Sequence, residues 1–440
     1  MSSPIRLIVD ERQRDRYARI ARIQLSDKTI TTPHFFTLTK KHNEFQSTVE
    51  LITESNAPHI QGCVVRLFDA RKMIGTRLTN LTQSRMDVLG RYVEESFRTF
   101  LKKAVLVIDP ATEYLFYEAD LSSWNEDKTL PKPISDYAKK CLAKKEQFRK
   151  SAMPSEYPKW KEAYHTQFWN ALSRDAPLRN RMIGEVFDLG LTYRSSILLP
   201  PVPVIRSEKL MEIAIQINDV GQAISAGRGA EYANYFILQQ GILDNEELRD
   251  RLVRYLSNTP ARIVALKFKY LNLTDAGKVT HLSSYEEFLQ QLSFLKEATK
   301  GKVFVALENG YQVFPFAAVA FDIVSTSMTG YDGDSAYGHG EYGSWFDPEL
   351  MVHVPFEDLG KICRNNHNRL PCGHSMCQSI DIATIDADSW NTYRRKHYVL
   401  TMNDYMMMIQ KAIRDRKIEL AREKLINSDI SRLKRLIPRV

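Results

Sequence analysis

The chain has 440 residues and a mass of 50.8 kDa. That length suits one large α/β barrel with insertions, or a pair of domains. Hydrophobic residues at 43% and aromatics at 10% exclude disorder along the whole chain, because so much apolar surface can pack into a core. Lysine plus arginine (61) exceeds aspartate plus glutamate (53) by 8, a modest basic bias that permits a polyanionic partner without requiring one.

No run reaches the roughly 18 consecutive apolar residues of a membrane span, so no membrane association is expected. The opening MSSPIRLIVDERQRDR turns charged early, unlike a secretory leader. Five cysteines are present: Cys63, Cys141, Cys363, Cys372 and Cys377. An odd number with three near the end is no secreted disulfide framework. The expected location is the reducing cytoplasm, with the late cysteines kept for metal.

Residues 15–38 alternate apolar and polar and read as a hairpin. Seven short apolar runs follow: 63–68, 104–109, 195–200, 235–240, 262–268, 303–308 and 321–327. They are continuous rather than alternating, as parallel strands buried on both faces should be. Helical patterns lie between several of them, at 244–256 and at 283–299, where Ser284 and Glu287 have capping-box spacing. This alternation predicts a (β/α)8 barrel, with no evident place for the eighth strand. Residues 125–190 form a helical insertion rich in lysine and aromatics, and residues 341–440 form a C-terminal metal-binding subdomain. The divisions are thus 1–124 (hairpin and first strands), 125–190, 191–340 (the rest of the barrel) and 341–440. A final helix is expected over 403–426, with Met406, Ile409, Ile413 and Leu420 as its packed stripe, followed by a basic tail.

Cys372, His374 and Cys377 have the spacing C-x-H-x2-C, and His397 follows just ahead of the expected final helix. Two thiolates and two imidazoles suit tetrahedral Zn2+, and four protein ligands leave no open position, so the zinc is expected to be structural. Cys363 and His367 are further candidates nearby.

Five patches in order resemble the tRNA-guanine transglycosylase superfamily: TTPHFF in the hairpin, VLVIDPATEY (105–114), YFILQQGILDNEELRDRL (235–252), ALENGYQVFPFAAVAFDIV (306–324) and HYVLTMNDYMMMIQKAIRDRKI (397–418). The family normally has C-x-C-x2-C where this chain has His374 in the middle. The resemblance implies a zinc-bearing barrel that exchanges guanine in a polynucleotide for a 7-deazaguanine base. It places the nucleophile on Asp322, the general acid/base on Asp109, a base-recognising amide on Gln240 and a base-stacking ring on Tyr114. The chemistry suits two carboxylates: one holds the sugar covalently, and the other moves a proton on and off the purine.

Three departures from the family matter. Pro200 and Pro201 stand where a guanine-reading acid is expected; residues 325–345 contain no arginine or lysine; and Lys267, Phe268, Lys269 and Tyr270 replace a Gly-Gly-Leu pocket segment. In the insertion, Lys139, Lys140, Lys144, Lys145, Arg149, Lys150, Lys159 and Lys161 interleave with Tyr137, Phe148, Tyr157, Trp160, Tyr164, Phe168 and Trp169, a candidate grip on a backbone and opened bases. The altered tRNA-reading loops favour the DNA branch, which inserts 7-cyano-7-deazaguanine into DNA with the target base flipped out. The resemblance to that branch, which often needs a companion ATPase, makes one an expected partner; the sequence shows no P-loop, so any ATP use would belong to that partner. A tRNA transglycosylase and a non-catalytic nucleic-acid-binding barrel are the alternatives.

Overall fold

The computed structural model describes residues 6–12, 19–25, 28–54, 57–82, 88–115, 130–151, 153–239, 242–269, 274–275, 278–279, 295–296, 298–299, 301–307, 321–327, 344–348, 352–356, 358–359, 370 and 372–415. Gln240, the Ser284–Glu287 cap, Cys363, His367, Leu420 and the basic tail fall outside them.

Eight parallel strands close into a barrel. In chain order they are His34–Thr39, Gly62–Arg66, Val105–Asp109, Ile197–Leu198, Glu231–Gln239, Ile263–Lys269, Val303–Leu307 and Ile323–Ser327. The eighth pairs with the first, Ile323 opposite His34, which completes the ring. A short strand, Val204–Ile205, adds to the fifth beside the fourth.

The strand with no evident place in the sequence is HFFTLT, at the far end of the segment whose alternation reads as a hairpin. The hairpin itself is Arg19–Leu25 with Lys28–Thr31, and Arg6–Arg12 adds a third strand that sequence reading missed. His34, Thr37 and Thr39 give the first barrel strand a polar look, yet all six of its residues are buried. Thr37 and Thr39 donate to the Gly62 and Val64 carbonyls, so their hydroxyls fit a buried strand.

The register fixes which residues face the lumen. Phe36 is level with Gly62, Gly62 with Val105, Arg66 with Asp109, Val107 with Ile197, Tyr235 with Ala265, Lys267 with Leu307 and Val305 with Ile323. With the two-residue period of a strand, Arg66, Asp109, Tyr235 and Lys267 then share the inner face. Phe36 fills the lumen over Gly62, where an added Cβ would come within 1.8 Å of its ring. Gly62→Ala is therefore expected to cost about 1–3 kcal/mol or more through overpacking. A denaturation midpoint equal to that of the parent chain would contradict this close fit.

Between the third and fourth strands run three helices, Lys132–Lys150, Glu156–Arg174 and Ala176–Thr192. Tyr137, Tyr157 and Trp169 are buried, and the half-buried Trp160 and Tyr164 stack on this column. The aromatics expected to grip bases therefore largely hold the insertion together, while Lys139, Lys140, Lys145, Arg149 and Lys150 remain exposed.

The last described helix is Ala387–Arg414, beginning well before the expected 403, so His397 lies inside it rather than at its entry. Asp386 starts it as N-cap, accepting from Ser389 N at 2.9 Å. The apolar stripe that was legible, Met406, Ile409 and Ile413, is buried as expected. The earlier turns escaped notice because they pack a second, smaller cluster built from Trp345, Trp390 and Tyr393.

Two buried histidines carry a pH consequence. His34 accepts from Gln61 N, and His165 accepts from Trp169 Nε1; burial pushes each down to about 3. The unfolded chain binds protons near pH 6.5 that the folded chain refuses, so stability falls as pH drops below that value. At pH 5 each histidine is expected to remove about 2 kcal/mol. A denaturation midpoint unchanged between pH 7 and pH 5 would contradict it.

Candidate active site and metal centre

The third strand ends at Asp109 on the C-terminal rim, the face where barrel enzymes do their chemistry. Pro110 follows, and then Ala111 with φ 51°, a left-handed conformation that costs a non-glycine residue energy. Ala111 N donates to Asp109 Oδ1 at 2.9 Å and so holds the turn. The chain then winds into a 3-10 turn, Thr112–Leu115, tied down by Thr112 Oγ1 donating to the Val202 carbonyl at 2.6 Å. This turn carries Glu113 back beside Asp109.

Lys267 reaches both carboxylates from the sixth strand. Its Nζ lies 2.7 Å from Asp109 Oδ2 and is ion-paired with Glu113 Oε1. Tyr235 of the fifth strand donates its hydroxyl to Asp109 Oδ1 at 3.0 Å. The third strand touches neither the fifth nor the sixth in the sheet, so these contacts cross the lumen. Asp109, Glu113, Lys267 and Tyr235 are all fully buried. Burial, then the neighbouring Asp109 carboxylate, holds the Tyr235 hydroxyl well above its usual range, so it stays a donor.

Tyr114, expected as a base-stacking ring, belongs to the same cluster. The Arg66 guanidinium lies 5.1 Å from its ring centre and Lys267 Nζ 5.7 Å. Phe68 meets it edge-on at 5.7 Å. Arg66 in turn pairs with Asp69 at 2.6 Å. A π-helical turn, Arg71–Gly75, follows, a feature frequent at functional sites.

Asp322 is not in this cluster. It immediately precedes the eighth strand, at the N-terminal end of the barrel, and the alternation that turns Ile323 inward turns Asp322 out. Arg19 of the hairpin grips it twice, Nε to Oδ1 at 2.8 Å and Nη2 to Oδ2 at 2.6 Å. Lys296 Nζ lies 3.3 Å from Oδ1, and Phe304 N donates to Oδ2 at 2.9 Å. Burial opposes ionisation, but Lys296 and Arg19 outweigh it and hold the carboxyl below its usual range. The pairing of Asp109 and Asp322 at one sugar, expected from the resemblance, is therefore not formed: the two acids sit at opposite ends of the barrel. The sequence had placed Asp322 within a strand, whereas the strand begins one residue later and runs away from it.

Gln240 lies just beyond the described end of the fifth strand at Gln239. Sequence reading missed Glu113, Lys267 and Tyr235 as site residues. A signal existed for one of them: a lysine inside the apolar run RIVALKF has to find a buried anion.

Cys372, His374, Cys377 and His397 could hold a metal ion, their ligand atoms all lying within 4.8 Å of one another. Both imidazoles present Nδ1 to the sulfurs: His374 lies 3.4 Å from Cys372 Sγ, and His397 lies 3.2 Å from Cys377 Sγ. Their Nε2 atoms are engaged outside, with Asp404 Oδ2 at 2.8 Å and the Phe346 carbonyl at 2.7 Å. Such outer partners fix ring orientation and tautomer, so the donor set fits a metal. Within the cluster a hydrogen bond from the Cys377 thiol pushes Cys372 down to about 2, while Cys377 moves up. Asp404 pushes His374 up to about 9, so binding a metal there displaces a proton.

No protein-family model matches the chain, and no curated protein matches it. No helix among the described residues is long and apolar enough to cross a membrane.

Proposed function

We propose that the chain is a base-exchange enzyme, a guanine transglycosylase acting on DNA, whose chemistry runs at the C-terminal rim around Asp109. The observation that carries this reading is the buried Asp109–Lys267–Glu113 centre at the catalytic end of a barrel that also bears a Cys2His2 tetrad. The sequence resemblance supplies the reaction class.

Base exchange needs a carboxylate to hold the sugar and a group to move a proton on and off the purine. Asp109 takes the proton-transfer role. Glu113, sharing the same ammonium, takes the nucleophilic role that the resemblance had put on Asp322. Tyr114 flanks the pair as the aromatic face for a flipped base. The tetrad would hold Zn2+ by two thiolates and two imidazoles, a closed set that supplies no chemistry to the rim and staples the C-terminal helix. That helix also reaches the barrel floor, where Gln410 Nε2 donates to the Thr32 carbonyl and Asn403 Oδ1 accepts from His59 N.

The test supplies labelled 7-cyano-7-deazaguanine with single-stranded DNA, plasmid or tRNA, alone and with a companion ATPase. Label is expected in DNA; label in tRNA alone would end the DNA reading. A non-catalytic nucleic-acid-binding barrel is the competing reading, favoured by the complete burial of Asp109, Glu113 and Lys267. It predicts nucleic-acid binding with no label transferred to any polymer.

A further inference from the structure

If the rim exchanges bases, as proposed above, it must both give and take a proton in each cycle. Two carboxylates and one ammonium meet there. The groups facing them are Tyr235 from the fifth strand, Tyr114 from the 3-10 turn, and the Arg66–Asp69 pair at the end of the second strand. Both oxygens of Asp109 act as acceptors, Oδ1 from Tyr235 and Ala111 N and Oδ2 from Lys267. A proton passed from Asp109 to a leaving purine has to be resupplied by a donor bonded to Asp109. Lys267 Nζ is the one cationic proton donor bonded to it among the described residues.

We propose that Lys267 is the proton store of the centre and acts through Asp109. As the C1′–purine bond breaks, a proton passes from Lys267 Nζ to Asp109 Oδ2 and from Asp109 to the departing ring nitrogen. The same transfer leaves Lys267 neutral, so Glu113 loses its counter-ion and becomes a stronger nucleophile as its oxygen bonds to C1′. In the second half the incoming base loses its ring N–H to Asp109, the proton returns to Nζ, and the Glu113–C1′ bond is broken. Two bases exchange, no net proton is consumed, and nothing is oxidised or reduced.

A lysine that only props the site open would serve every leaving group equally. A proton store serves only those that need a proton. Guanine needs one; 7-methylguanine, already cationic, departs without it. The experiment compares the parent chain and Lys267→Arg on two single-stranded DNA oligonucleotides of one sequence, one carrying guanine and the other 7-methylguanine, and measures base release. Arginine keeps the charge but does not release a proton at working pH. Guanine release is expected to fall by about a hundredfold or more, the usual worth of a positioned proton donor, and 7-methylguanine release by less than about tenfold. Equal losses on the two bases, in a variant that melts like the parent, would overturn the role of Lys267 and leave the base-exchange reading standing. Failure of the parent chain to release either base would overturn both. A second measurement needs no variant: the parent's rate on guanine is expected to decline at high pH as the store empties, while its rate on 7-methylguanine stays flat, and parallel profiles would refute the proposal.

Discussion

Asp322→Asn is expected to destabilise the protein by about 3–5 kcal/mol while leaving base exchange in place. The acid is fully buried and accepts two hydrogen bonds from Arg19 and one from Phe304 N, with Lys296 close by. An amide at this position removes the carboxylate that the buried Arg19 grips with two hydrogen bonds, and an uncompensated buried charge is the expensive half of breaking such a pair. Arg19 also donates to the Lys302 carbonyl at 2.5 Å, so one side chain ties the hairpin to the turn before the seventh strand and to the eighth. Asp322 thus closes the floor of the barrel. Denaturation curves of the parent and the variant decide it: coincident midpoints would mean that the acid bears no structural load, and the nucleophile assignment would return.

Removing metal from the tetrad is expected to have the other large effect. A strong chelator, or Cys377→Ser, should lower the unfolding free energy by several kcal/mol, because a donor set assembled only in the folded chain turns metal affinity into folding energy. The loss should reach beyond the tetrad. His397 lies inside the same helix as Asn403 and Gln410, which hydrogen-bond to His59 N and the Thr32 carbonyl. Amide exchange should therefore quicken around residues 57–61 when the metal leaves. Acid should release the metal, since His374 carries a proton up to about pH 9 when no metal opposes it. One equivalent of zinc per chain in the purified protein, lost together with stability, is the expected result. A metal-free chain with the same midpoint would refute a structural metal.

How much of this was legible in the sequence follows from which residues were saturated in one signal. RIVALKF, VFVALE and AVLVID read as buried parallel strands because residues 263–268, 303–307 and 104–109 are buried throughout. HFFTLT did not, since three of its six residues are polar and its two threonines are satisfied by carbonyls of the next barrel strand, Gly62–Arg66. The tetrad was readable because three of its ligands sit within six residues. Its fourth ligand, His397, was found, but its place inside a helix was not, because the turns before it pack against a separate cluster rather than the barrel. The Asp109 centre was half readable. Asp109 ends an apolar run, a position where chemistry is expected, whereas Glu113 and Lys267 join it only through the closure of the barrel across the lumen. The place of Asp322 was hidden for a related reason: similarity over a few residues does not tell which end of a strand a residue occupies, and a shift of one residue turns a side chain to the other face.

The decisive comparison is transfer of labelled 7-cyano-7-deazaguanine into single-stranded DNA by Asp109→Asn and by Asp322→Asn, each assayed below its melting transition. If the chemistry belongs to the C-terminal rim, the first variant binds DNA and transfers no label, and the second transfers label at close to the parent rate per folded molecule. Full transfer by Asp109→Asn, or none by a folded Asp322→Asn, would place the reaction somewhere other than the Asp109–Lys267–Glu113 centre.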